Sequence, residues 1–159
     1  MRRRHLLLLL TAVPALARAQ EDEPTKAQPV LPKEKLTIVT KDGKRHVFDV
    51  EVAKTPRQRE VGEMFRKGVP ADGGMLFIWP ISQPEPMWME NTLVPLDMVF
   101  IKADGTIRAI AENTVPESLI PISSHGPVQA VLELAGGTTA RLNIIVGDKV
   151  QAKQFSETG

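Results

Sequence analysis

Alternating apolar and polar residues mark two strands near the start of the folded part of the chain. Leu36–Thr40 is rich in β-branched residues, Asp42-Gly43 is typical of a hairpin turn, and residues 45–52 resume the alternation. Four side chains of this second strand share one face: His46, Phe48, Val50 and Val52. A strand with one apolar and one polar face is typical of an antiparallel sheet that covers a core on one side.

Short apolar runs separated by turn residues continue to the end of the chain. The runs interpreted as strands are Met75–Trp79, Met87–Met89, Met98–Ile101, Ile107–Ala111, Val128–Leu134 and Lys149–Phe155. Thr55-Pro56 followed by Gln58 predicts a capped helix that ends between residues 62 and 66, and Thr138–Leu142 predicts a second helix. No βαβ rhythm is evident. The pattern therefore predicts a mainly β, single-domain fold: an antiparallel β-sandwich or small open barrel with two short helices.

The first nineteen residues have the three parts of a secretory signal. Arg2–Arg4 form a basic start, Leu6–Leu16 is an apolar run, and Ala17-Arg18-Ala19 has a small residue on each side of Arg18. A membrane-spanning helix needs about 20 apolar residues, and this run is too short. Residues 1–19 are therefore predicted to direct export and to be cleaved before Gln20; the adjacent arginines leave the general and the twin-arginine routes open.

Residues 20–33 differ in composition from the rest of the chain. They contain three prolines and few apolar side chains, so they cannot bury enough surface to offset the entropy of ordering them. We predict a flexible leader over residues 20–33 and a folded domain over residues 34–156.

Composition and charge exclude several classes of function. The 159 residues contain no Cys, which excludes disulfides, thiolate metal sites and a Cys nucleophile. Residues 1–19 hold four arginines and no acid, so their removal turns 20 basic and 19 acidic residues into 16 and 19, a formal charge of −3. The domain also lacks a basic stripe. We therefore expect no nucleic-acid partner and no stable membrane anchor after cleavage.

Several motifs resemble a known family. In order, they are Thr55–Arg66, Asp72–Pro80, Pro86–Ile101, Asp104-Gly105, Val131–Gly137 and Val146–Val150. Together they resemble the domain of unknown function 192 family, small bacterial and archaeal proteins that often carry an export signal. The resemblance implies a β-rich single-domain fold and no established reaction. Three residues depart from the usual pattern: Glu63, Met87 and Glu90 stand where the family has an apolar, an aromatic and a basic residue.

The densest polar patch lies around Trp88. Asp97 interrupts an apolar strand, and a buried carboxylate needs partners. In one interpretation, residues 90–92 and Asp97 line a polar pocket floored by Trp88, with Arg66 or Glu133 nearby. In the other, Asp97 accepts hydrogen bonds from the 91–92 loop or pairs with Arg66, and so only fixes a strand connection. The candidate ligand-binding residues are Arg66, Trp88, Asn91, Thr92 and Asp97.

Two pairs of residues suggest alternative chemistries. Glu133 alternates with leucines and is expected to face solvent, although Asp97 and Glu133 could form the carboxylate pair of a hydrolase. Met87 and Met89 flank Trp88 and could hold copper(I) through their thioethers, but methionines in apolar runs are also typical core residues. No other cofactor is indicated.

These observations favour an exported, non-catalytic binding or accessory module of the cell envelope, located in the periplasm or outside the cell. Its partner could be a glycan, a peptide or a protein, and the sequence does not choose among them.

The signal prediction is tested by N-terminal sequencing of the protein recovered from the cell envelope or medium. We expect the chain to begin at Gln20. A soluble periplasmic protein that retains Met1 would contradict the cleavage prediction.

Overall fold

Residues 22–155 are described by a computed structural model, and the predicted signal peptide lies outside them. The elements in chain order are β1 (Lys33–Val39), β2 (Arg45–Ala53), α1 (Pro56–Val61), β3 (Gly73–Pro84), β4 (Leu96–Ile101), β5 (Ile107–Ala111), β6 (Pro127–Ala135), α2 (Thr138–Leu142) and β7 (Lys149–Gln151), followed by a 3₁₀ turn over Lys153–Phe155. None of the helices in this part of the chain is long and apolar enough to span a membrane.

The strands form one mixed sheet that curls into a half-barrel. Its strand order is β5-β4-β6-β3-β2-β1-β7, so β5 and β7 are the edge strands. The curl brings these edges together at one end, where the Ile107 amide donates to the Asp148 carbonyl at 2.9 Å and the Val150 amide donates to the Gly105 carbonyl at 2.8 Å. The mainly β fold with two short helices is confirmed, in the form of an open barrel.

One strand pair differs from the antiparallel arrangement expected from the sequence. β2 and β3 run parallel, with α1 and the loop after it as their crossover, so the chain does contain one βαβ unit. α1 is only six residues long, which is too short to show the amphipathic repeat from which a crossover helix is predicted. The predicted capping box is confirmed: the Thr55 hydroxyl accepts from the Gln58 amide, and the Gln58 side chain accepts from the Thr55 amide.

The segment over residues 85–95 also differs from its prediction. Of the expected strand Met87–Met89, only Met87 pairs, through a single bridge to Ile122. The segment instead forms a loop that covers part of the sheet, and Met89 is buried beneath it.

Two apolar clusters cover the two faces of the sheet. The first takes residues from all seven strands and fills the inside of the curl, with Leu36, Phe48, Leu76, Val99, Leu132 and Val150 among its members. The second lies on the other face, between the sheet and its covering loops, and includes Met75, Phe77, Met89, Met98, Phe100 and Val131.

The end of the predicted leader is anchored to the domain. The Gln28 amide group donates to the carbonyls of Gln58 and Gly62 at 3.0 Å each, at the end of α1. Leu31 is buried, and its amide donates to Glu51 at 2.7 Å. The prediction of flexibility as far as residue 33 did not foresee these contacts, because they come from side chains distant in sequence.

Candidate functional site

Glu133 lies on the covered face of the sheet. The strand register places Met75 of β3 and Met98 of β4 directly opposite it, and Glu51 of β2 opposite Met75. Residues paired in this way share one face, so the four side chains form a row across the sheet. Glu133 is only 4% exposed. The prediction that it faces solvent was wrong, because the face that it shares is covered by α1 and the 85–95 loop rather than open to water.

Arg66 forms a buried ion pair with Glu51 at one end of this row. Its two terminal nitrogens donate to the two carboxylate oxygens of Glu51 at 2.5 and 2.9 Å. Its Nε also lies 3.3 Å from Glu63 Oε2. Burial acts to raise the pKa of Glu51, but the hydrogen bonds from Arg66 and Leu31 outweigh it and lower that pKa. Glu51 is therefore a carboxylate at neutral pH, and Arg66 is shared between two acids.

Glu63 follows directly on the end of α1. Gly62 ends the helix with φ +46°, and a Cβ at this position would lie 2.9 Å from the Phe77 ring, so the close packing there requires glycine. The resulting turn buries Glu63 next to the Arg66 ion pair. Burial raises the pKa of Glu63 to about 7, against a smaller lowering effect of Arg66. Burial also raises the pKa of Glu133 well above its ordinary value, with Glu63 as a second cause.

Glu63 and Glu133 both line a cleft of about 350 Å³. Trp79 and Trp88 line it as well, together with Thr92. The Trp79 ring stacks on Phe77 with centroids 6.4 Å apart, whereas Trp88 is 53% exposed. We call this space the tryptophan cleft.

Two carboxyl groups that line the tryptophan cleft, those of Glu63 and Glu133, accept no hydrogen bond from the described residues. Glu133 has no ion pair either, whereas the buried Oε2 of Glu63 lies 3.3 Å from Arg66 Nε. Buried polar groups in folded proteins are nearly always paired, since an unpaired one costs about 1–3 kcal/mol. An unpaired carboxyl group at an accessible cleft is therefore a group that a ligand can satisfy.

The sequence-predicted residues do not all meet at this cleft. Trp88 and Thr92 line it, and Asn91 lies in the adjoining turn, where its carbonyl accepts from the Phe65 amide at 2.8 Å. Arg66 lies behind the cleft, next to Glu63. Asp97 lies on the opposite face of the sheet, since its register partner is Leu134 rather than Glu133.

Asp97 is fully buried and fully partnered. One carboxylate oxygen accepts from the amides of Asn113 and Gly137, and the other from the amide and hydroxyl of Thr139, at 2.7–2.9 Å. Burial acts to raise the pKa of Asp97, but the three backbone N–H groups outweigh it and lower that pKa. Neither the 91–92 loop nor Arg66, the two expected partners, contacts it. Asp97 instead fixes the start of α2 against β4.

The arrangement excludes the hydrolase pair that the sequence left open as an alternative. Asp97 and Glu133 project from opposite faces of the sheet, so the two carboxyl groups cannot act on the two sides of one bond.

The two candidate copper ligands also differ in surroundings. Met87 is half-buried and lines the tryptophan cleft, whereas Met89 is fully buried in the core, where its sulfur accepts from the Thr114 hydroxyl at 3.1 Å. Residues 22–155 contain no group of three or more His, Cys, Asp or Glu side chains that could hold a metal ion.

Glu63 and Glu51 were missed from the sequence. Glu51 alternates with apolar residues like a solvent-facing position, and Glu63 lies in a stretch without a clear period. The available signal was Glu133 itself, a single acid inside the otherwise apolar run Val131–Leu134.

Comparison with known proteins agrees with this fold. The family described as DUF192, Uncharacterized ACR, COG1430, matches residues 37–152. The chain belongs to the DUF192 family. No curated protein matches this DUF192 chain.

Two crystal structures resemble the DUF192 chain. One, from Sinorhizobium meliloti 1021, is described as a “putative transcription regulator”; it is 44% identical with a TM-score of 0.78, over 80% of this chain and 99% of the other. The second, from Novosphingobium aromaticivorans DSM 12444, is a protein of unknown function that is 39% identical with a TM-score of 0.75, over 79% and 91% of the two chains.

Replacement of Asp97 tests its structural role. In Asp97→Asn, an NH₂ group faces N–H donors, so we expect a loss of about 2–3 kcal/mol, or roughly 5–10 °C in melting temperature at pH 7. Because the folded-state pKa is lowered, this stabilisation is present above the unfolded value near about 4 and is lost as the pH falls through the folded value. The difference from wild type should therefore shrink in acid. An unchanged melting temperature at pH 7 would contradict this role.

Replacement of Glu133 should have the opposite effect. Its folded-state pKa is raised, so the wild type loses stability as the pH rises above about 4.3, where the unfolded chain ionises and the folded one does not. Glu133→Gln removes this cost, and thermal melts should show it about 5 °C more stable than wild type at pH 8 and nearly equal at pH 4. The exposed control Glu117→Gln should follow the wild-type profile. A less stable Glu133→Gln at pH 8 would show that the carboxylate is ionised and paired.

Proposed function

We propose that this DUF192 protein is a non-catalytic binding module of the cell envelope, and that the tryptophan cleft is its ligand site. The observation that carries the proposal is the buried carboxyl group of Glu133, which lines the cleft without a protein partner among the described residues.

The cleft combines the two features that small-ligand sites need. Its indole rings supply apolar surface on which a flat or aliphatic group can pack, and the half-exposed Trp88 is open to such contact. The carboxyl groups of Glu63 and Glu133 supply a few polar atoms that fix orientation. A ligand that hydrogen-bonds with them offsets the cost of their burial.

Location in the envelope is part of the proposal. It is supported by the basic, apolar and small-residue segments of residues 1–19.

DNA binding is the second function to consider, because one structural neighbour is described as a “putative transcription regulator”. The cleft lining contains four carboxyl groups, Glu60, Glu63, Glu90 and Glu133, and only one arginine, Arg59. Such a lining favours a ligand other than a polyanion. We expect no binding of a labelled DNA duplex in fluorescence anisotropy at physiological salt.

Trp79 and Trp88 make the cleft directly observable. They are the two tryptophans of the chain, which has no tyrosine, so intrinsic fluorescence reports on the cleft alone. We expect a saturable change of emission with at least one of three probes: N,N′-diacetylchitobiose, the amide of Ala-Lys-Ala, or the amide of Ala-Glu-Ala. In Trp88→Ala, with Trp79 as the remaining reporter, affinity should fall about tenfold because the stacking surface is lost.

The control variant is Ile145→Ala, which removes a half-exposed apolar side chain outside the cleft and should bind like wild type. Unchanged emission with all three probes, or wild-type affinity in Trp88→Ala, would contradict the assignment of the cleft.

A further inference from the structure

Behind the tryptophan cleft, buried negative and positive side chains alternate: an acid, an arginine and a second acid. Glu51 is followed by Arg66, which pairs with it and also faces Glu63. Glu133 lines the same cleft as Glu63, and the charge of Glu63 contributes to raising its pKa. Glu51 and Glu63 thus share one guanidinium, whereas Glu133 has no cationic partner among the described residues.

We propose that the tryptophan cleft binds an organic cation, a primary ammonium or guanidinium group on an aliphatic stem, between Glu63 and Glu133. The bound cation would form ion pairs with both acids, just as Arg66 does with Glu51 and Glu63. This inference rests on the proposed function, since it names the ligand class of the same site.

The other charges around the site support a cation rather than an anion or a neutral group. The titratable and charged groups that face the pair or line the cleft are Glu51 from β2, Arg59 and Glu60 from α1, Arg66 after α1, and Glu90 from the covering loop. Both arginines are already engaged. Arg66 is held by Glu51, and Arg59 donates to the carbonyls of Lys54 and Ile78 at 2.5 and 3.0 Å.

The tryptophan rings fit the same ligand. Arg59 already lies 5.5 Å from the centre of the Trp79 ring, on the side of α1, so one indole of the cleft holds a cation within the protein. Trp88 offers an exposed indole to a second cation and to its aliphatic stem. A bare metal ion would gain little from these rings, and the described residues contain no group of three or more His, Cys, Asp or Glu side chains that could hold one.

Cation binding must be linked to proton release. Burial raises the pKa of Glu63 to about 7 and raises the pKa of Glu133 well above its ordinary value, so a cation that binds beside them displaces a proton from the pair. Affinity should therefore increase as the pH rises from 6 to 8. A neutral ligand that accepts hydrogen bonds from the protonated pair would show no such increase.

The experiment uses tryptophan fluorescence with two isosteric probes, n-butylguanidinium and the neutral n-butylurea, at pH 6, 7 and 8. The guanidinium stays charged over this range. We expect its Kd to fall by about tenfold or more from pH 6 to pH 8, and n-butylurea to bind at least about tenfold more weakly at pH 8 with no dependence on pH. Calcium and magnesium chloride at the same concentrations should leave the emission unchanged.

Two variants complete the test. Glu133→Gln should weaken binding of n-butylguanidinium at pH 8 by at least about tenfold and flatten its pH dependence, whereas Glu117→Gln should do neither. Equal binding of the two probes, tighter binding of calcium, or an unaffected Glu133→Gln would overturn the cation assignment. If n-butylguanidinium fails while diacetylchitobiose binds, the cleft is still a binding site and only its ligand class is wrong; if no probe of any class binds, the proposed function fails as well.

Discussion

The bidentate pair between Arg66 and Glu51 is the interaction on which the candidate site depends. It joins β2 to the loop that follows α1, and through the Leu31 amide it also holds the chain segment ahead of β1. Because this one guanidinium also faces Glu63, it offsets part of the effect of burial, which raises the pKa of that acid. Removal of one partner of a buried pair leaves the other uncompensated, typically at a cost of about 3–5 kcal/mol. The Arg66–Glu51 pair therefore affects both the structure of the cleft wall and the pKa of Glu63.

Asp97 and Glu133 are buried carboxyl groups of the sheet with opposite roles. Asp97 is surrounded by N–H and O–H donors and is an ordinary structural acid whose ionised form stabilises the fold. Glu133 is buried at the wall of the cleft and has no donor among the described residues, and burial raises its pKa well above the ordinary value. The contrast depends on the sheet face: the Asp97 face meets the backbone at the start of α2, and the Glu133 face meets the cleft.

Local patterns predicted most of the elements but not their spatial relations. The helix cap at Thr55 and the hairpin at Asp42-Gly43 depend on neighbouring residues and could be read directly. The need of Asp97 for partners was also evident, but its donors come from segments 16 and 40–42 positions away. Glu133 was assigned to the wrong environment because alternation shows that two faces differ, not which one another segment will cover. Trp88 and Thr92 line one cleft, as the sequence predicted. Glu63 lies beside them because the parallel crossover between β2 and β3 places it there.

The meeting of β5 and β7 has a consequence for the behaviour of the protein before and after it folds. Edge strands are the places where sheets of different molecules join, and the curl directs main-chain groups of both edges toward each other at one end, at Ile107 and Val150. A chain without cysteine has no disulfide to hold such a closure, so these main-chain hydrogen bonds and the side-chain packing of all seven strands inside the curl hold it. The sheet is therefore protected from pairing with strands of other molecules only after β7 has packed against β1. A chain that lacks β7 would expose two unpaired edge strands, β5 and β1.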